Sequence, residues 1–300
     1  MTEQQTGASV EALGFLARLE RWAATDVTTD LAAARAALLA FLRAEQAAHA
    51  ANGLVHQLAA RALDVAAADG GDDAPVAGLR TRLAQSCAAE RADLEGARAA
   101  VARTATALVT QRGAWLATLG GGSTVSLALR ELQRLDRGPR ALVAEGRPLL
   151  GGRAVAAELG RAGVPTWLVV DAALPMLLSQ AGGLWLGAGA VTERGAIVAV
   201  GGYAAALAAR EHSVPVHVLA TRRRFLPAAT AALRIEEMPA GEVWDAPPPG
   251  VRPRNVHADL LPLELVRGVV VEDEVLGPTE TAAVARERPL PEPLAGPTAR

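Results

Sequence analysis

Apolar positions in the first hundred-odd residues recur at steps of three and four. Leu13, Leu16, Leu19 and Ala23 line one face of a predicted helix. Asp30 is placed to N-cap the run that follows, in which Leu31, Ala34, Leu38, Phe41 and Leu42 share a stripe. A third helix is predicted from Gly53 to Ala68, stopping at Asp69-Gly70-Gly71. A fourth opens behind Asp73 and Pro75 and is expected to run to Arg112, before Gly113. The region is rich in Ala, Leu, Arg and Glu and poor in β-branched residues, which favours helix over strand. Residues 1–112 are therefore expected to form a helical bundle with its main loop at 69–74.

Near residue 114 the pattern changes. Short apolar runs (AWLATL, ALVAE, TWLVV, LWLGA and VPVHVLA) alternate with helical stretches of crossover length, the signature of a parallel sheet with helices on both faces. The expected fold class is α/β, a helical bundle followed by a Rossmann-like domain over 113–285. The segment 286–300, RPLPEPLAGPTAR and its flank, is proline-rich and expected to be a disordered tail. No repeat at a fixed 20–50 residue period is apparent, which argues against a solenoid.

Composition narrows the chemistry. The 300 residues carry 30 basic and 32 acidic side chains, and none of the basic ones is lysine. A Walker A loop and a Schiff base or pyridoxal phosphate site both need lysine, so these are excluded. The near balance of charge argues against nucleic acid as a partner. One cysteine, Cys87, excludes an intramolecular disulfide, a multi-cysteine zinc site and an iron–sulfur cluster. It falls in predicted bundle helix and reads as a small core residue. His49 and His56 stand seven apart with no acidic third ligand nearby, and His212 and His217 straddle a helix-to-strand turn, so no metal is expected. The N-terminus has no basic segment followed by an apolar one, as a secretory signal would. The uncharged run Ala172 to Thr192 is interrupted by Pro175, Ser179, Gln180 and Gly182-Gly183, against a membrane span. The expected location is the cytoplasm.

Ligands of open parallel sheets bind at the carboxyl ends of strands. The first such end carries Gly120, Gly121, Gly122, Ser123 and Thr124, which suit either an anion held by backbone N–H groups or a flexible turn with Ser123 as N-cap. It is not a nucleophile elbow, because Val125 stands where G-x-S-x-G needs its second glycine. The second carries Glu145-Gly146-Arg147-Pro148, where Arg147 suits a phosphate contact or a salt bridge with Glu145. The third is Asp171, a sugar-hydroxyl ligand, a base or a helix cap. The fourth, Gly187-Ala188-Gly189, resembles a dinucleotide loop but has Thr192 at its last glycine position.

Taken in order, these stretches resemble the initiation factor 2B alpha/beta/delta subunit family, which also contains methylthioribose-1-phosphate and ribose-1,5-bisphosphate isomerases. The resemblance runs through GGGSTV, the E-x-R-P-x-x-x-G-R pattern from Glu145 to Arg153, LWLGAGAVTERG, and VGGYAAALAAREHSVPVHVLATRRRF. It closes on Asn255, Asp259, Pro262 and Glu264. It implies a domain of the NagB/RpiA/CoA-transferase-like kind, a homodimer formed through that domain, and a phosphorylated ligand at Gly120 to Thr124, Arg147, Asp171, Gly201 and Gly202.

The departures matter as much. The family's isomerases use a cysteine and an aspartate where this chain has Gly120 and Gly189, and an Asn-Lys pair where it has Val198 and Ala199. Glycine transfers no proton. The reading that follows is a non-catalytic, regulatory member that binds a sugar phosphate or nucleotide, with no cofactor, or else a protein partner. The alternatives are a sugar-phosphate isomerase with a relocated acid/base pair, Asp171 being its base, and a guanine-nucleotide-exchange subunit of translation initiation.

Overall fold

The computed structural model describes residues 8–25, 28–68, 75–230 and 233–295. Four helices come first: α1 (Ala8–Thr25), α2 (Leu31–Ala48), α3 (Gly53–Ala67) and α4 (Val76–Thr106). Asp30 caps α2 by accepting from the Ala33 N–H at 2.7 Å, as its position predicts. Asn52 does the same for α3 through Leu54 N–H at 3.2 Å. The expected loop at 69–74 lies outside the described residues. The fourth helix stops at Thr106 rather than Arg112, six residues short of the expected end.

The bundle core holds Phe15, Leu16, Leu38, Leu42, Leu54, Leu79 and Leu83. The 31 residues of α4 serve two cores: Leu79, Leu83, Cys87 and Leu94 pack in the bundle. Val101, Ala102 and Ala105 pack against the sheet. Burial pushes the Cys87 thiol up to about 11, so it stays protonated and unreactive. His56 is completely buried in this core. Its Nδ1 accepts from Gln46 at 3.0 Å and its Nε2–H donates to the Ala50 carbonyl at 3.2 Å, a fully bonded neutral ring.

Burial lowers the His56 pKa from 6.5 to about 4. Below pH 6.5 the unfolded chain takes up a proton that the folded ring refuses. Stability is therefore lost as pH falls from 6.5 to about 4, by up to about 3 kcal/mol in all. Urea unfolding at pH 7 and pH 4.5, wild type beside His56→Gln, is expected to show this acid-sensitive increment in the wild type alone.

The sheet follows: β1 (Trp115–Leu119), α5 (Ser123–Arg134), β2 (Arg140–Ala144), α6 (Gly151–Arg161) and β3 (Thr166–Val169). A short α7 (Leu174–Leu177) leads to β4 (Gly183–Thr192), β5 (Gly195–Ala199), α8 (Gly202–Glu211) and β6 (Val216–Leu219). The chain closes with β7 (Ala258–Pro262), β8 (Gly268–Val270), β9 (Val275–Leu276), α9 (Pro278–Arg286) and α10 (Glu292–Ala295). The strand order is β3-β2-β1-β4-β6-β8-β9, parallel from β3 through β8. The five expected strands are its first five positions, and the fold is the α/β class read from the sequence.

The uncharged run from Ala172 is cut into helical turns and β4, and no helix among the described residues is long and apolar enough to cross a membrane. The sequence pattern did not mark the second half of β4. There the strand leaves the parallel sheet and forms an antiparallel ribbon with β5 and β7, irregular between Ala188 and Ala190.

Residues 287–295 correct the expectation of a disordered tail. Leu290 and Leu294 bury themselves in the bundle core. Arg43 donates to the Pro293 carbonyl at 3.0 Å, and Gln46 to that of Leu294 at 3.3 Å. Two leucines four apart give this segment an apolar side that its prolines do not cancel.

Candidate functional site

The carboxyl ends of β1, β2 and β4 meet the α2–α3 loop and the amino end of α1 around a cavity of about 230 Å³, open on one side. Gly120, Gly121, Gly122, Ser123, Thr124 and Arg147 all line it. Gly120 has φ +73° and lies under Gly146, where an added Cβ would stand 2.6 Å from the Gly120 Cα. Two glycines facing each other let the β1 and β2 loops touch. Ser123 is the first residue of α5 and does not act as the cap; Gly122 precedes it and no side chain caps the helix. The amino end of α5 thus opens on the cavity with its first N–H groups available to an anion.

The E-x-R-P-x-x-x-G-R pattern divides its work. Glu145 pairs with Arg153 at 2.8 Å rather than with Arg147. Gly152 lies so close to the end of β2 that a Cβ there would reach the Ala144 carbonyl oxygen at 2.0 Å. The Arg147 guanidinium, on the exposed cavity mouth, has no hydrogen-bond partner among the described residues.

Three expected site residues stand elsewhere. Asp171 is not part of the lining; its carboxylate accepts from the Gly146 and Arg147 N–H groups, both at 2.7 Å. It holds the β2–α6 loop in shape with one hydrogen bond to each oxygen. Asp171→Asn keeps one acceptor oxygen and is expected to lower stability by about 2 kcal/mol, read as a lower urea midpoint. Gly201 and Gly202 are likewise outside the lining. Asp259, arriving on β7, accepts from Gly201 N–H at 2.8 Å and Tyr203 N–H at 3.3 Å, and so occupies the amino end of α8.

Other residues complete the cavity: Glu11, His49, Asn52, Arg224, Arg234, Glu236 and His257. Arg224 is the most consequential. It is 4% exposed, and its guanidinium meets the Ser9 hydroxyl at 2.9 Å and the Gly189 carbonyl at 3.4 Å. No carboxylate among the described residues forms an ion pair with it. Burial lowers its pKa to about 10, which still leaves it charged at neutral pH. By contrast Arg222 is paired with Asp273 and Glu274, and Arg223 with Glu90 and Asp93. A run of three arginines beyond a strand carried no sign of which one turns inward.

Gly120 and Gly189, where the isomerases of the resembled family hold their acid and base, both line this cavity. A Cβ at Gly189 would stand 2.6 Å from the Ala51 carbonyl oxygen, so the α2–α3 loop has closed onto that position. Among the described residues no three histidine, cysteine or acidic side chains are grouped to hold a metal.

Fold and cavity together define an α/β protein whose helical bundle roofs the carboxyl edge of a parallel sheet over a basic cleft. The model of the initiation factor 2 subunit family matches residues 5–278, and the chain belongs to that family. It is 34% identical over 183 residues to methylthioribose-1-phosphate isomerase of Oleidesulfovibrio alaskensis, covering 57% of this chain and 51% of that protein. A Cronobacter sakazakii protein of the same name is 34% identical over 182 residues, covering 56% and 53%. The matches thus span about half the length of these relatives.

Among solved structures, the translation initiation factor eIF-2B of Pyrococcus horikoshii superposes with a TM-score of 0.76 at 22% identity, covering 92% of this chain and 93% of that one. The 5-methylthioribose 1-phosphate isomerase of the same organism gives 0.66 at 17%, covering 92% and 81%. At these identities the two structures share the fold.

Proposed function

We propose that this chain binds a small phosphorylated molecule, a sugar phosphate or a nucleotide, in the cleft, and acts as a regulatory member of its family. The observation that carries this reading is Arg224, a buried guanidinium facing the cavity without a carboxylate partner. Such a charge is costly unless an anion completes it. The uncapped start of α5 and the free guanidinium of Arg147 add two further groups for a phosphate.

Thermal unfolding with ribose 5-phosphate, methylthioribose 1-phosphate, AMP and GMP tests it. A ligand at 100 times its Kd adds about 2.7 kcal/mol, and Arg147→Ala is expected to weaken that response. No response to any of the four overturns the reading in favour of a protein partner.

A homodimer through the sheet edge belongs to the same reading. Strand β3 ends the sheet with Trp167 and Leu168 about half exposed, and Val170 and Met176 extend the apolar surface beside it. The Trp167 ring packs at a tilt against that of Trp115, with centroids 4.3 Å apart. Open apolar edges of this kind are normally covered. Trp167→Glu is expected to convert a dimer to a monomer in light scattering. A solved neighbour, the tetrameric eIF2B-beta2-delta2 complex from C. thermophilum, is an assembly of subunits with this fold.

A further inference from the structure

Arg224 also lines a second, smaller cavity, of about 10 Å³, formed between α1, α3, α4 and the turn after β6. That is the space of one water-sized occupant. Arg98, on α4, and Thr221, just past β6, line this cavity and not the cleft, while Ser9 belongs to both.

The polar atoms around it are donors. The Arg98 Nε–H is buried and has no acceptor among the described residues. The Thr221 hydroxyl is buried and equally unbonded, and it caps nothing, although Thr221 stands just ahead of the 3-10 turn Arg222–Arg224. The Ser9 hydroxyl accepts from Arg224, which leaves its own proton to donate. The remaining wall is leucine, apart from Glu95. Glu95 is exposed and forms no ion pair with either arginine.

Two guanidinium charges therefore meet at one small space with no carboxylate bonded to either. Burial lowers the pKa of both, and after burial the charge of Arg98 is the next cause acting on Arg224. A guanidinium stays charged at neutral pH all the same. A water molecule would accept from these donors, but it would bring two protons of its own to a wall short of acceptors. It would also leave both charges uncompensated. A phosphate or a carboxylate is too large for the space. A monatomic anion takes donors from every side, brings no proton and cancels one of the charges.

We propose that this cavity is a halide site, filled by chloride, with the anion held by Arg98, Thr221, Ser9 and Arg224. The ion ties α1 and α4 of the bundle to the turn that leaves the sheet after β6. The site goes beyond the ligand reading above: its occupant is of a different class, and Arg98 and Thr221 take no part in the cleft.

The test is urea unfolding of the full chain in phosphate-free buffer, with sodium chloride or bromide against sodium gluconate at equal ionic strength. Gluconate is too large to enter. The wild-type midpoint is expected to be higher in either halide, and to rise with the logarithm of its concentration once above Kd. Thr221→Val keeps the shape of the side chain and is expected to weaken halide binding about tenfold, the loss of one hydrogen bond to a charged group. Arg98→Met is expected to weaken it about 100-fold. The chloride NMR line is expected to broaden with the wild type and to narrow again with either variant. A wild-type midpoint equal in halide and gluconate overturns the proposal and assigns the cavity to water. A halide response that Thr221→Val keeps at full strength overturns it as well, by placing the ion in the open cleft. That variant decides the matter if Arg98→Met fails to fold, and the ligand reading stands in either case.

Discussion

Arg224→Met is expected to abolish the response to phosphorylated ligands while leaving the protein as stable as before, or more so. In phosphate-free buffer the variant trades a buried charge that lacks an ion-pair partner for a thioether of similar reach. Such exchanges of buried charge for apolar volume are often neutral or favourable by about 1–4 kcal/mol. The orphaned Ser9 hydroxyl and Gly189 carbonyl offset part of that gain. Loss of a charged contact in a dry site costs on the order of 100-fold in affinity or more. At a ligand concentration that gave the wild type about 2.7 kcal/mol, the variant then gains only about 0.4 kcal/mol. Chemical unfolding with and without ligand separates the two effects. A variant that is several kcal/mol less stable but still answers to ligand would show Arg224 to be a strut between α1 and β4.

The double substitution Gly120→Cys, Gly189→Asp carries the second large effect. It writes the isomerase residues back into the positions they occupy in the resembled enzymes, and it is expected to destabilise the protein and restore no turnover of methylthioribose 1-phosphate. At Gly120 the backbone has φ +73°, a conformation that strains any residue with a Cβ by about 1–2 kcal/mol. At Gly189 a Cβ meets the Ala51 carbonyl oxygen at 2.6 Å, and relieving that contact means displacing the α2–α3 loop. Overpacking of this kind costs about 1–3 kcal/mol. Urea unfolding and an NMR turnover assay read both quantities. A stable variant with restored turnover would mean that the cleft is still shaped for the isomerase reaction.

The sheet and the glycine loop were legible because their determinants are local. Apolar runs of strand length and the turns between them announce parallel strands, and parallel strands bring their carboxyl ends to one edge, which is why Gly120 to Thr124 and Arg147 meet. What escaped depends on partners far along the chain. Asp171 bonds the N–H groups of Gly146 and Arg147, 25 and 24 residues earlier, and nothing local marks those partners. The start of α8 looked open until β7 brought Asp259 to it from 58 residues away. Arg224 and its two neighbours are alike in sequence, and only the path of the chain after β6 sends one inward. Glu242 and His257 sit in a proline-rich stretch without periodicity, where nothing marks a pair 15 residues apart.

The helix α4 has a consequence for how such chains are recombined. At about 46 Å it is one continuous rod, with its first half inside the bundle and its last turns against the sheet. A cut in the linker after Thr106 would strip the sheet of Val101, Ala102 and Ala105 and expose the face they cover. The natural suture for exchanging one bundle for another therefore lies within the rod, near Gly96, where a Cβ would meet nothing within 4 Å. Grafts joined there keep both hydrophobic cores whole.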